Sequence, residues 1–116
     1  MKNHVNKLVE CFADYVPKQD VCIARGDSKM GNVHAKKYIY VAKLLLLGGN
    51  KSVDTFAFLL KHESDSVKVM TVAFLLELRT GQAVETLKPL AVGKGLAALG
   101  AKMTLERYEK GQLKIV

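Results

Sequence analysis

Three histidines, two cysteines, one glycine–lysine corner and a run of lysines are the residues whose types could carry chemistry. His4, His34 and His62 would suit a metal if two stood at i, i+4, or if Cys or Asp/Glu partners lay at ligand spacing; neither holds. His62-Glu63 falls at an expected helix end, where an imidazole can satisfy terminal carbonyls. His34 is the one histidine beside the lysine run. Cys11 and Cys22 form no Cys-x-x-Cys and no zinc-type spacing, so both are expected as free thiols packed in a core. Gly48-Gly-Asn-Lys-Ser resembles the end of a phosphate-binding loop. That motif needs Gly directly before the Lys, an earlier Gly and a preceding strand. Here Asn50 precedes Lys51, Leu44 holds the earlier position, and the preceding segment reads as helix. Ser28-Lys29 and Ser66-Val-Lys68 do not make Ser-x-x-Lys, and neither Gly-x-Ser-x-Gly nor a Cys–His signature occurs. The acids Asp27, Asp54, Asp65, Glu106 and Glu109 mostly fall at helix ends, and none pairs as an acid/base couple. The expectation is a protein that is not an enzyme and needs no cofactor.

The lysines are the strongest functional lead. From Ser28 to Val53 there are five, at 29, 36, 37, 43 and 51, and no acid. Lys29, Lys36 and Lys43 are seven apart and share one face of a helix, with Tyr40 flanking them, Arg25 preceding them and Lys37 off to one side. One reading is a solvated edge that keeps the protein in solution. The other is a recognition face for an acidic partner, on which Tyr38 or Tyr40 would anchor and the charges would speed association. The candidate partner-binding residues are therefore Arg25, Lys29, Lys36, Lys37, Tyr40 and Lys43.

The element that must position them is the stretch Val33 to Leu47, too long for a strand and free of Gly and Pro. Nearly its whole circumference is apolar except the lysine stripe, which predicts a central helix buried by neighbours on several sides. Asp27, Ser28 or Asn32 would cap it, and Gly48-Gly-Asn stops it. Before it, Val5, Leu8, Val9, Phe12, Tyr15 and Val16 predict an amphipathic helix over 3–16. Pro17 should end or kink that helix, and 18–25 would continue it with Val21, Ile23 and Ala24 turned inward. After it come a short helix over 52–62, a Ser64-Asp-Ser cap, a helix over 66–79 closed by Thr80-Gly81, and one over 82–92 that Pro89 bends or ends near Lys88. Gly93 and Gly95 turn the chain into a last helix over 96–110, with Ala98, Ala101, Leu105 and Tyr108 on one face and Gly111 as its stop. The tail Gln112 to Val116 reads as a loose end.

A chain of 116 residues, 49% of them hydrophobic, suits one domain, 1–116, with a real core. No apolar run approaches the ~20 residues of a membrane span, and the N-terminus lacks the pattern of a secretory signal, so a cytoplasmic, non-membrane protein is expected. Net charge is +7, which attracts acidic partners of several kinds. Arg occurs only at 25, 79 and 107, and aromatics are 7%, which speaks against sequence-specific reading of bases.

The helices over 52–79 and 82–110 form two pairs offset by roughly thirty residues, the pattern of a helical repeat of HEAT type. Asp65-Ser-Val-Lys-Val-Met-Thr-Val-Ala-Phe-Leu-Leu resembles the capped second helix of such a repeat. Ala91 to Leu113, above all Ala101-Lys-Met-Thr-Leu-Glu-Arg-Tyr-Glu-Lys-Gly-Gln-Leu, resembles the C-terminal signature of a small bacterial family known as domain of unknown function twenty-nineteen. The match would cover residues 3–113; Tyr108 departs from the Trp of that family. The resemblance implies an all-α, HEAT-like fold of about six helices with no established enzyme activity. It also implies kinship with small helical immunity proteins that sit beside secreted toxins. The expected function is thus a non-catalytic immunity protein that binds and neutralises a cognate toxin through an acidic contact surface on that toxin. The alternative is a helical nucleic-acid-binding module that tracks phosphates with its lysines.

Overall fold

Asp27 closes one helix and opens the next. In the computed structural model, which describes residues 2–109, helix α1 (Lys2–Ala24) ends on Gly26, whose φ of 74° is left-handed. The Gly26 N–H bonds the Ile23 carbonyl at 3.0 Å and the Asp27 N–H bonds the Cys22 carbonyl at 2.8 Å. That paired closure needs the left-handed residue, which costs glycine little. The Asp27 carboxylate then accepts the Met30 N–H at 3.1 Å and caps α2 (Ser28–Leu47). Helix α3 (Asn50–Ala57) follows the Gly48-Gly49 corner, where Gly49 has φ 93°, and runs into a 3₁₀ turn, Phe58–Lys61. Then come α4 (Asp65–Leu75), capped by the Ser64 hydroxyl, α5 (Thr80–Ala91) and α6 (Leu96–Glu109). Every regular element among the described residues is helical, as an all-α reading requires. The packing divides the chain into two compact units between Leu59 and Leu60, inside the first of the helix pairs expected from the sequence.

The first unit is an α1–α2 hairpin closed by α3. Cys22 lies against Gly31, Tyr15 against His34 and Phe12 against Tyr38, so the two helices run antiparallel. A Cβ on Gly31 would meet the Cys22 Cβ at 3.4 Å, a close approach that only a small residue allows. Phe12 is fully buried where all three helices meet. Its ring stands edge-on to Tyr38 at 5.7 Å and to Phe56 at 4.9 Å, the favoured geometry for aromatic pairs. Val16, Val41, Ala42, Leu45 and Val53 complete this core. The Ser52 hydroxyl is buried there too and donates to the Leu45 carbonyl at 2.7 Å, tying α3 to the end of α2. Gly48 is required beside it, because an added Cβ would fall 2.7 Å from the Ser52 oxygen.

In the second unit, α4, α5 and α6 bury Val67, Val72, Leu75, Leu76, Ala83, Leu87, Ala98 and Ala101. Small residues let α6 come close, with a Cβ on Gly100 only 3.4 Å from Val69. Thr71 is fully buried, and its hydroxyl is satisfied by the Val67 carbonyl at 2.7 Å.

Several expectations need correction. Pro17 neither ends nor divides α1. It forfeits one backbone hydrogen bond, but Phe12 before it packs on Tyr38 of α2 and Gln19 after it bonds the same residue, and that seam on both sides of the proline holds the helix. Val21, Ile23 and Ala24 do not turn inward; all three are exposed. α5 likewise runs past Pro89 to Ala91, with Leu87 buried and Leu90 half-buried in its last turn. Thr80 does not close the fourth helix but begins the fifth, its hydroxyl donating back to the Leu76 carbonyl at 2.6 Å. Hydrogen bonding of helical type does continue beyond Leu75, from the Arg79 N–H to the Leu75 carbonyl at 2.7 Å. His62 accepts a backbone N–H, that of Ser64, at 3.0 Å rather than donating to helix-end carbonyls. Cys11 and Cys22 are free thiols but only half-buried. On α6, Ala98 and Ala101 are buried while Tyr108 is exposed. The expected stop at Gly111 and the tail Gln112 to Val116 lie outside the described residues.

Candidate protein-binding face

The central helix is more one-sided than its composition suggests. Buried on α2 are Gly31, Tyr38, Val41, Ala42 and Leu45, a single stripe turned toward α1 and α3. The envelopment expected from its apolar circumference is therefore not found. Met30, Val33, Ile39, Tyr40 and Leu47 are exposed, Tyr40 at 64% and Leu47 at 84%. A hairpin with α1 covers one side of a helix, and α3 is only eight residues long.

All six candidate residues, Arg25, Lys29, Lys36, Lys37, Tyr40 and Lys43, are exposed. They do not form one cluster. Lys29, Lys36, Tyr40 and Lys43 lie along the outer line of α2, opposite its buried stripe. None of these three lysines has an acidic partner among the described residues. Arg25 sits beyond the end of α1, at the corner. Lys37 belongs to the hairpin seam instead. Its ammonium lies 5.2 Å from the centre of the Tyr15 ring, and the Lys18 ammonium lies at the same distance. His34 stacks on Tyr15 at 6.0 Å, and its Nδ1 is buried with no hydrogen-bond partner among the described residues. The aromatic ring thus ties down Lys37 and His34, while the outer lysines are left free to meet a partner.

Tyr38 is not an exposed anchor but a core residue, 4% exposed, whose hydroxyl donates to Gln19 at 2.6 Å. Burial, and then the carboxylate of Asp20, hold its phenol above the ordinary tyrosine value, opposed by the Gln19 hydrogen bond. The folded state therefore keeps this proton longer than the unfolded chain. The stability it contributes is complete below the ordinary tyrosine value and is lost as pH rises through the higher folded value. Tyr38→Phe should remove the late step of an alkaline tyrosinate absorbance titration and cost about 0.5–1.5 kcal/mol at neutral pH, read by urea denaturation. An unchanged titration curve would contradict this placement of Tyr38.

Missed in the sequence were the apolar members of the outer line, Val33 and Leu47, with Met30 and Ile39 beside it. Their spacing from the lysines was the signal. Away from this line, a cavity of about 340 Å³ is lined by Val5, Asn6, Lys51, Ser52, Asp54 and Thr55. The Ser52 and Thr55 hydroxyls there are engaged by the Leu45 and Lys51 carbonyls, so neither stands ready as a nucleophile. Among the described residues no group of three or more His, Cys, Asp or Glu could hold a metal ion, and no helix is long and apolar enough to cross a membrane.

The class these observations define is an all-helical protein. The crystal structure of the protein RPA1889 from Rhodopseudomonas palustris CGA009 is similar to it, with a TM-score of 0.86 over 95% of this chain and 92% of that one. The two sequences are 20% identical, so the likeness shows a shared fold. No protein-family model matches the chain, and no curated protein matches it.

Proposed function

We propose that this chain is a non-catalytic protein-binding module and, in its specific form, an immunity protein that neutralises a cognate bacterial toxin. The observation that supports binding is the outer line of α2, where Lys29, Lys36 and Lys43 are exposed without acidic partners among the described residues and Tyr40 stands 64% exposed between them. Unpaired lysines raise the on-rate for an acidic surface, and an exposed aromatic supplies area once contact is made. A rigid helical hairpin behind that line keeps the ordering cost low. The immunity role rests on the resemblance of the C-terminal stretch around Ala101 to Leu113. The HEAT-like form belongs to the same proposal, supported by helix starts at 50 and 65 that recur at 80 and 96.

The test is affinity capture of tagged protein from its host lysate at about 150 mM salt, with and without nuclease. One stoichiometric protein that survives nuclease, and whose expression is toxic unless this chain is co-expressed, is the expected result. Recovery of mixed nucleic acid with nuclease-sensitive companions would overturn it in favour of a phosphate-binding face.

A further inference from the structure

Six residues of α2 fall on one line: Lys29, Val33, Lys36, Tyr40, Lys43 and Leu47. Their spacing alternates four and three residues, which is the repeat of a helix that packs lengthwise along another helix. All six are exposed, Val33 at 37%, Tyr40 at 64% and Leu47 at 84%. Met30 and Ile39 flank the line, at 43% and 37%. The opposite stripe, from Tyr38 to Leu45, already packs on α1 and α3. So α2 carries two seams, one filled and one open.

We infer that the open seam seats an acidic amphipathic helix of the partner protein. Its apolar residues lie on Val33, Tyr40 and Leu47, and its carboxylates face Lys29, Lys36 and Lys43. This rests on the protein-binding reading above and names the form of the contact. Charge selects the occupant. A second copy would bring three lysines against three lysines, and no acid lies between Ser28 and Val53 to relieve them. A helix lying on a membrane carries its cations along the border of its apolar face. Here Lys36 stands on the centre line between Val33 and Tyr40, so sinking the apolar residues would take the ammonium with them. A phosphate backbone offers nothing apolar to Val33 or Leu47. A helix that alternates apolar side chains and carboxylates in the same four–three register meets both demands. The line from Lys29 to Leu47 is about 27 Å long at 1.5 Å per residue, enough for about five turns.

The probe is a synthetic peptide of about three heptads with Leu at each d position and Glu at each a position, labelled for fluorescence anisotropy. Its carboxylates disfavour self-pairing. A scrambled peptide of the same composition is the control. The designed peptide should bind at least about tenfold tighter than the scramble, and more weakly at about 500 mM salt than at about 150 mM. Tyr40→Ser with Leu47→Ser should weaken it about tenfold or more. Both positions are exposed, so circular dichroism should be unchanged and a loss of binding is not a loss of fold. Equal binding of the two peptides would overturn the inference. So would uptake by phosphatidylserine vesicles without peptide binding. The captured partner separates this inference from the reading it rests on. If that partner is lost with Lys29→Glu, Lys36→Glu and Lys43→Glu but not with the two serine variants, the seam inference fails and protein binding stands. If neither set matters, the seam inference fails again and the partner docks elsewhere; the reading it rests on fails only if capture yields no stoichiometric protein.

Discussion

Phe12→Ala should destabilise the first unit by about 3–5 kcal/mol, the range for deleting a fully buried phenylalanine side chain. Phe12 is 0% exposed and its ring contacts one aromatic from each of the other two helices of that unit. Deletion opens a cavity that Tyr38 and Phe56 cannot both fill. Tyr38 is anchored by its bond to Gln19, and the start of α3 is held by the Ser52 hydroxyl on the Leu45 carbonyl. Set against a typical total of about 5–15 kcal/mol, the loss removes much of the stability. Urea denaturation followed by circular dichroism would read it as a large fall in midpoint. Leu47→Ala, at a residue 84% exposed, is the companion control and should stay within about 0.5 kcal/mol. A Phe12→Ala change as mild as that control would mean that the three helices do not meet where described.

Reversing Lys29, Lys36 and Lys43 to Glu together should slow association with the captured partner by roughly 10- to 1,000-fold and remove most of its salt dependence. The three side chains are exposed and bridge to no acid among the described residues, so folding stability should change little. The loss should sit mainly in the on-rate, because charges that steer encounter act before contact is made. Reversing Lys37 alone should do less to the partner, since its ammonium already lies over the Tyr15 ring. Surface plasmon resonance at two ionic strengths separates the two rates. Unchanged, salt-insensitive binding by the triple variant would remove the lysine line from the interface.

Much of the helical plan was legible because its punctuation is local. Asp27 and Ser64 cap the helices that follow them, and the Gly48-Gly49 pair stops α2, each through contacts within a few residues. The failures came where distant packing decides. Pro17 reads as a breaker until the seam with α2 is known. The sidedness of α2 was the costliest error. Its composition carries apolar residues all round, but only the hairpin tells which of them are covered, and Val33, Tyr40 and Leu47 are not. The lysine line itself needed only a period of seven to be found. Tyr38 and Tyr40, equal candidates as anchors in the sequence, are separated by two positions and so by opposite sides of the helix.

The Gly26-Asp27 corner bears on how the first unit assembles. One residue both finishes the hydrogen bonding of α1 and starts that of α2, so the connection has no slack. Bringing α1 onto α2 then closes only a very short loop, at small cost in chain entropy. The contact nearest the corner, Cys22 beside Gly31, joins residues close along the chain, and Gln19 with Tyr38 follows one step farther out. Such low contact order favours rapid pairing that zips outward from the corner. Phe56 lies much farther along the chain from Phe12, so α3 should dock later, onto a hairpin already paired.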